Sequence, residues 1–224
     1  MATVLRLALV VAVAVALAPA TPRSQAAGAI RGRVDLPAPP PVAGRPSVSQ
    51  LGQTTTPAPV DRRAVVYLES APRAAFAELR PGRARLDQRG EQFIPHILAV
   101  TAGTVVDFPN NDTVFHNVFS LSQPRTFDLG RYAPGRTGSV RFARPGIVPV
   151  FCDIHSQMSA YVLVFSHPFF AVTDSNGTYE ISGVPPGSYT LVVWSEFGEA
   201  APRPMAVREG GVAVANFAVR RDGT

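Results

Sequence analysis

The sequence predicts an all-β chain: a Greek-key β-sandwich followed by a second, smaller set of strands. Three observations support this. Val, Thr, Phe and Tyr fall in short alternating runs, as half-buried strands require. The 22 Pro and 18 Gly are spread without period between those runs, where they act as turns. No helical periodicity lasts beyond a few turns. At 224 residues the chain suffices for one large domain or two small ones, and at 46% hydrophobic it can build a sizeable core without disulfides.

Met1 to Ala27 reads as a secretory signal. Arg6 gives a thin basic start, Leu7 to Ala18 an apolar stretch, and Pro19 breaks it. Ser24-Gln-Ala26 or Gln25-Ala-Ala27 then offers a small-residue cleavage site. The other reading is an uncleaved anchor, but the apolar run is shorter than the roughly 20 residues of a span. No cysteine follows it to carry a lipid. The expectation is therefore an exported, periplasmic-type protein, with membrane contact only if the segment is retained.

Ala29 to Leu36 alternates as a strand, and Ala64 to Glu69 as a second. Between them, Pro37 to Val60 is a Pro-, Ser- and Thr-rich loop. Ala74 to Leu79 fits one or two helical turns before Pro81-Gly82. Strands then come quickly: Arg83–Asp87 and Phe93–Val100 as a first pair, then Thr104–Phe108, Phe115–Leu121, Gly138–Phe142, Val148–Phe151 and Ala160–Phe165. Pro109-Asn-Asn-Asp112 and Arg144-Pro-Gly146 supply turns, and a polar loop runs through Pro124. In the tail, Phe169–Thr173, Thr178–Ile181, Tyr189–Trp194 and Val212–Val219 are strands, with a tight hairpin at Asp174-Ser-Asn-Gly177. These signals divide the chain into 1–27, 28–70, 83–166 and 167–224.

Charge points away from nucleic acid. All 21 basic residues are Arg, the formal charge is +5, and removal of Arg6 and Arg23 leaves 5 − 2 = +3. The arginines are scattered and form no basic footprint. A mildly basic face suits docking to an acidic partner.

The chemistry concentrates in Val150-Phe-Cys-Asp-Ile-His-Ser-Gln-Met158. Cys152, His155 and Met158 place a thiolate, an imidazole and a thioether within seven positions, around the only cysteine. A lone cysteine in a β-core is usually a small buried hydrophobe. The Cys-x-x-His-x-x-Met spacing, with His116 in Phe108-Pro-Asn-Asn-Asp-Thr-Val-Phe-His-Asn117 as a further imidazole, points instead to a metal site. Two His, one Cys and a weak axial Met form the blue-copper electron-transfer set. The expected ligands are His116, Cys152, His155 and Met158 around one type 1 copper ion. No open coordination position with a neighbouring acid or base is evident, so single-electron transfer is expected and catalysis is not. The electrons would leave by an exposed edge of His155, ringed by apolar residues such as Ile154.

Other polar residues carry less. His96 reads as a satisfied polar residue on a strand, with a peripheral metal or docking role as the alternative, and His167 as a domain-junction residue. Asp107, Asp112, Asp128 and Asp153 read as turn or surface groups. Phe115, Phe119, Phe142, Phe151, Tyr161 and Phe165 are expected in the core, and Trp194 in the tail's packing.

From Arg83 to Phe165 the chain resembles plastocyanin- and amicyanin-type cupredoxins, in chains labelled methylamine-utilisation or plastocyanin-like. The resemblance rests on Gly103-Thr-Val-Val-Asp-Phe-Pro-Asn-Asn111, His116-Asn117, Pro145-Gly146 and Cys152-x-x-His155-x-x-Met158. The short Cys-to-Met spacing is similar to amicyanin. Many members carry proline just before the loop histidine, where this chain has Ile154. The resemblance implies that the Asn117 side chain ties the His116 strand to the cysteine loop. The tail resembles the carboxypeptidase regulatory-like (transthyretin-like) β-sandwich, in Thr173-Asp-Ser-Asn-Gly-Thr-Tyr-Glu-Ile181 and Gly183-Val-Pro-Pro-Gly-Ser-Tyr-Thr-Leu191. That module opens with strands that here match Gly32-Arg-Val34 and Ala64-Val-Val66. The cupredoxin is therefore expected between its second and third strands, since the short tail alone would bury too little surface.

Functionally these readings imply a periplasmic copper shuttle between a redox protein donor and an acceptor. The alternative is a periplasmic copper carrier or sensor without a redox role, although such sites favour many exposed Met and His. A structural or adhesion module with a vestigial site is a third reading, set against the complete ligand set. A copper enzyme lacks the second histidine cluster that a catalytic copper needs.

Overall fold

Residue Ile30 shows how the first strand is placed. In β1 (Gly28–Asp35) Ile30 and Val34 are buried while Arg31 and Asp35 face water, so one face seeks a core. The computed structural model describes residues 26–38, 62–77, 79 and 81–221. Apart from residues 26–27 and 37–38, the expected signal and the Pro-rich loop lie outside them.

β1 pairs with β14 (Thr178–Val184) antiparallel and with β17 (Val212–Val214) and β18 (Phe217–Ala218) in parallel. β2 (Val65–Leu68) lies between β13 (Phe170–Val172) and β15 (Gly187–Trp194), with β16 (Arg203–Val207) at the edge. These two sheets enclose one core, which includes Ile30, Leu68, Tyr179, Ile181 and Leu191. Gly32 is required there: a Cβ on it would collide with the Ala215 carbonyl. The Asp174–Gly177 turn is held by Asp174 Oδ1, which accepts from Asn176 and Thr178 N–H at 2.8 Å each. Only Gly177 in that turn is left-handed (φ 81°).

Between β2 and β13 the chain builds a second sandwich. A helical turn, α1 (Arg73–Ala77), leads to β3 (Arg83–Arg85), β4 (Asp87–Gln88), β5 (Phe93–Ile94) and β6 (Ile97–Thr101). There follow β7 (Thr104–Pro109), β8 (His116–Ser120), β9 (Phe127–Tyr132), β10 (Thr137–Phe142), β11 (Gly146–Phe151) and β12 (Ser159–Phe165). One sheet has the order β10-β7-β3 and the other β6-β12-β11-β8-β9. Their shared core contains Leu86, Val106, Phe108, Phe142, Val150, Cys152 and Met158.

Several sequence expectations are corrected. Arg83–Asp87 and Phe93–Val100 are not one hairpin: β3 pairs in parallel with β7, β4 pairs with β5, and β6 pairs in parallel with β12. β9 falls between Pro124 and Gly138, a stretch to which the sequence assigns no strand. Phe115 and Phe151 are 57% and 40% exposed and so lie outside the core. Trp194 packs on Tyr161, ring centroids 5.0 Å apart, in a third cluster between the sandwiches with Val65, Ile97 and Leu163. His96 sits just before β6 at this junction, where Nδ1 lies 3.0 Å from Ser159 O and Nε2 2.8 Å from Glu196 Oε1. His167 is buried there too, with Nε2 donating to Leu68 O at 2.9 Å.

Candidate metal centre

β11 and β12 run in register from Gly146↔Val164 to Phe151↔Ser159, which leaves residues 152–158 as the loop that joins them. Two backbone bonds tighten it: Cys152 N–H donates to Met158 O at 3.2 Å, and Met158 N–H to His155 O at 2.9 Å. β8 reaches the same end of the sandwich because Phe119 pairs with Phe151. Its first residue, His116, therefore meets the loop.

Three donor atoms converge. Cys152 Sγ lies 4.0 Å from His116 Nδ1 and 3.8 Å from His155 Nδ1, and the two nitrogens are 3.1 Å apart. A triangle with those sides has its circumcentre about 2.1 Å from every corner, close to metal–imidazole (about 2.0–2.1 Å) and metal–thiolate (about 2.3 Å) bond lengths. His116, Cys152 and His155 thus form a buried cluster able to hold a metal ion. They are 0%, 5% and 7% exposed. Met158, 1% exposed, belongs to the same core cluster as Cys152. The expected exposed edge of His155 is nearly covered; the exposed apolar side chains at this end are Val114, Phe115, Phe151 and Ile154.

The proton positions follow from the partners. His116 Nε2 lies 3.0 Å from Asp112 Oδ2, so Nε2 carries the proton and donates, and Nδ1 offers its lone pair to the cluster. Asp112 is therefore more than a turn group, because its carboxylate also holds His116. Its carboxylate also accepts from Glu91 N–H at 2.7 Å and Thr113 N–H at 2.8 Å. Burial alone would push Asp112 up, but these two N–H groups and His116 hold it below the usual carboxylate range. Burial works against His116 ionisation, yet Cys152 and Asp112 outweigh it and raise its pKa. The i, i+4 spacing of Asp112 and His116 was the available sequence signal.

Cys152 is similarly tuned. Burial pushes the thiol up, while the hydrogen bond with His116 and the backbone N–H groups of Asn117, His155 and Ile154 bring it down to about 6. The Asn117 main-chain N–H is thus among the groups that favour the Cys152 thiolate. The Asn117 side-chain Oδ1 is buried with no partner among the described residues. Because the folded pKa lies below the ordinary value of 9.0, thiolate should persist at neutral pH and disappear on acidification. Thiolate ultraviolet absorption of metal-free protein should be half lost near pH 6. A midpoint near 9 would contradict this electrostatic picture.

The remaining carboxylates behave as expected. Asp153 pairs with exposed Arg131 at 3.0 Å, and Asp107 with Arg83. Gln88, absent from the sequence reading, is fully buried beside the site, and its Nε2 lies 2.6 Å from Tyr132 Oη. Tyr132 in turn donates to Phe108 O at 2.8 Å, and burial pushes its phenol up to about 12.

Residues 158–220 match the carboxypeptidase regulatory-like domain. That match begins just before β12 and extends through β13 to β18. No curated protein matches the chain. Among solved structures, a purple cupredoxin from Nitrosopumilus maritimus is 22% identical and covers 37% of this chain and 99% of its own, with a TM-score of 0.34. A reduced amicyanin variant is 22% identical, covers 45% and 98%, and has a TM-score of 0.35. A copper-containing nitrite reductase from Thermus scotoductus SA-01 is 24% identical over 39% of this chain, but over only 23% of its own length, with a TM-score of 0.36.

Proposed function

We propose that this chain is an exported type 1 copper protein that carries single electrons between a redox protein donor and an acceptor. The observation that supports this most is the donor triangle of His116, Cys152 and His155, sized for one ion and buried. Copper held there supplies a one-electron couple. Cys152 would offer a soft thiolate, His116 and His155 their Nδ1 lone pairs, and Met158 a thioether as a weaker further donor. Packing on the core side and the two loop bonds hold these donors in place, so little rearrangement accompanies a change of charge. Val114, Phe115 and Ile154 give the metal end an apolar rim against which a partner can dock. The apolar N-terminal segment supports export.

Voltammetry of protein loaded with one equivalent of copper tests this. A reversible one-electron wave, with copper retained against a chelator, is the expected result. Rapid exchange without such a wave would indicate a carrier or sensor and overturn the shuttle.

A further inference from the structure

The β4–β5 hairpin closes through reciprocal backbone bonds, Arg89 N–H to Gln92 O at 3.0 Å and Gln92 N–H to Arg89 O at 3.2 Å. Its two central residues, Gly90 and Glu91, have φ of 60° and 55°. A two-residue turn of this hand needs positive φ at both positions, which Gly and Asn adopt readily and a glutamate does not. Among the described residues, Glu91 is the only non-glycine with positive φ. Such outliers persist where surrounding structure enforces them, and they cluster at functional sites.

Glu91 touches both halves of the metal site. Its N–H donates at 2.7 Å to Asp112 Oδ2, the oxygen that also accepts from His116 Nε2 at 3.0 Å. Its Oε2 accepts at 2.9 Å from Nε2 of Gln157, which lies between His155 and Met158 in the ligand loop. The hairpin is anchored beside Asp112 as well, since Asn111 N–H donates to Gln88 O at 3.0 Å and Asn111 Nδ2 to Asp87 Oδ1 at 2.7 Å. The His116 side and the Cys152 loop come from distant parts of the chain, and Glu91 bonds to both.

We propose that Glu91 is a positioning residue for the metal centre: its backbone aims the Asp112 carboxylate at His116, while its side chain straps the 152–158 loop. This rests on the copper reading above. A left-handed glycine would suit the turn better, but it could not hold Gln157. The strap slows opening of the loop and hence release of the ion.

Full-length wild type, Glu91→Gly and Glu91→Gln decide the matter by three measurements: copper capture by a chelator, amide exchange at Cys152 and Met158 in metal-free protein, and metal-free thermal stability. Glu91→Gly should release copper about fivefold faster and exchange these amides faster by a similar factor, as loss of one such hydrogen bond implies. Its metal-free melting temperature should not fall, because glycine relaxes the turn. Glu91→Gln keeps an accepting oxygen and should stay within about twofold of wild type. Wild-type release and exchange in Glu91→Gly would overturn the strap, as would equal losses in both variants. If wild type takes up no copper, the copper reading fails on its own, and the metal-free exchange data still decide the strap.

Discussion

Replacing Cys152 with serine is expected to remove the intense visible absorption and the redox wave of copper-loaded protein. The effect follows from ligand chemistry. The thiol pKa of Cys152 is already lowered to about 6, so at neutral pH it would present a soft thiolate to a copper ion. A serine hydroxyl in the same buried place keeps its proton and offers a hard oxygen. Copper affinity should fall by more than the roughly 10–100-fold typical of losing an outer partner. An optical and equilibrium titration of Cys152→Ser beside wild type measures both effects. Retained colour in the serine protein would show that the thiolate is not a ligand.

Asp112→Asn should have the next largest effect. Asp112 fixes the His116 tautomer by accepting a hydrogen bond from Nε2–H, and its negative charge makes the imidazole a better donor. Asparagine can still accept one hydrogen bond but brings no charge, and its amide can turn a donor towards Nε2. We expect copper affinity to drop roughly 10–100-fold. The reduction potential should rise, because removing a nearby negative charge disfavours the more highly charged oxidised state. Chelator competition and voltammetry test the two effects separately. An unchanged potential would mean that the charge of Asp112 is not felt at the metal.

Local chemistry explains what the sequence revealed. The all-β class was legible because Val, Thr and aromatic runs alternate with turn residues. Cys152, His155 and Met158 were legible because one short loop carries all three, so their spacing alone joins them. His116 was paired with them through its neighbouring Asn-Asn and Asn117, and the structure brings its Nδ1 within 4.0 Å of the sulfur.

What escaped depends on long-range contacts or broken alternation. β9 carries left-handed Gly130 (φ 67°), and a register shift between Asn117 and Phe119 interrupts its pairing with β8. β16 contains Pro204, which an edge strand tolerates because one side of its backbone needs no partner. Phe115 and Phe151 look like core residues, but they flank the metal end, where the sandwich stops covering side chains. Trp194 lies outside the tail's own core because its partner, Tyr161, belongs to the other sandwich. Glu91 bonds to residues 21 and 66 positions away, and no local pattern encodes that.

The central claim is that His116, Cys152 and His155 grip one copper ion through a thiolate. Its most direct test is the visible spectrum of wild-type protein during titration with cupric ion. The account predicts an intense blue absorption that saturates at one equivalent. Full uptake of copper with only the faint colour of a nitrogen- and oxygen-ligated ion would contradict it.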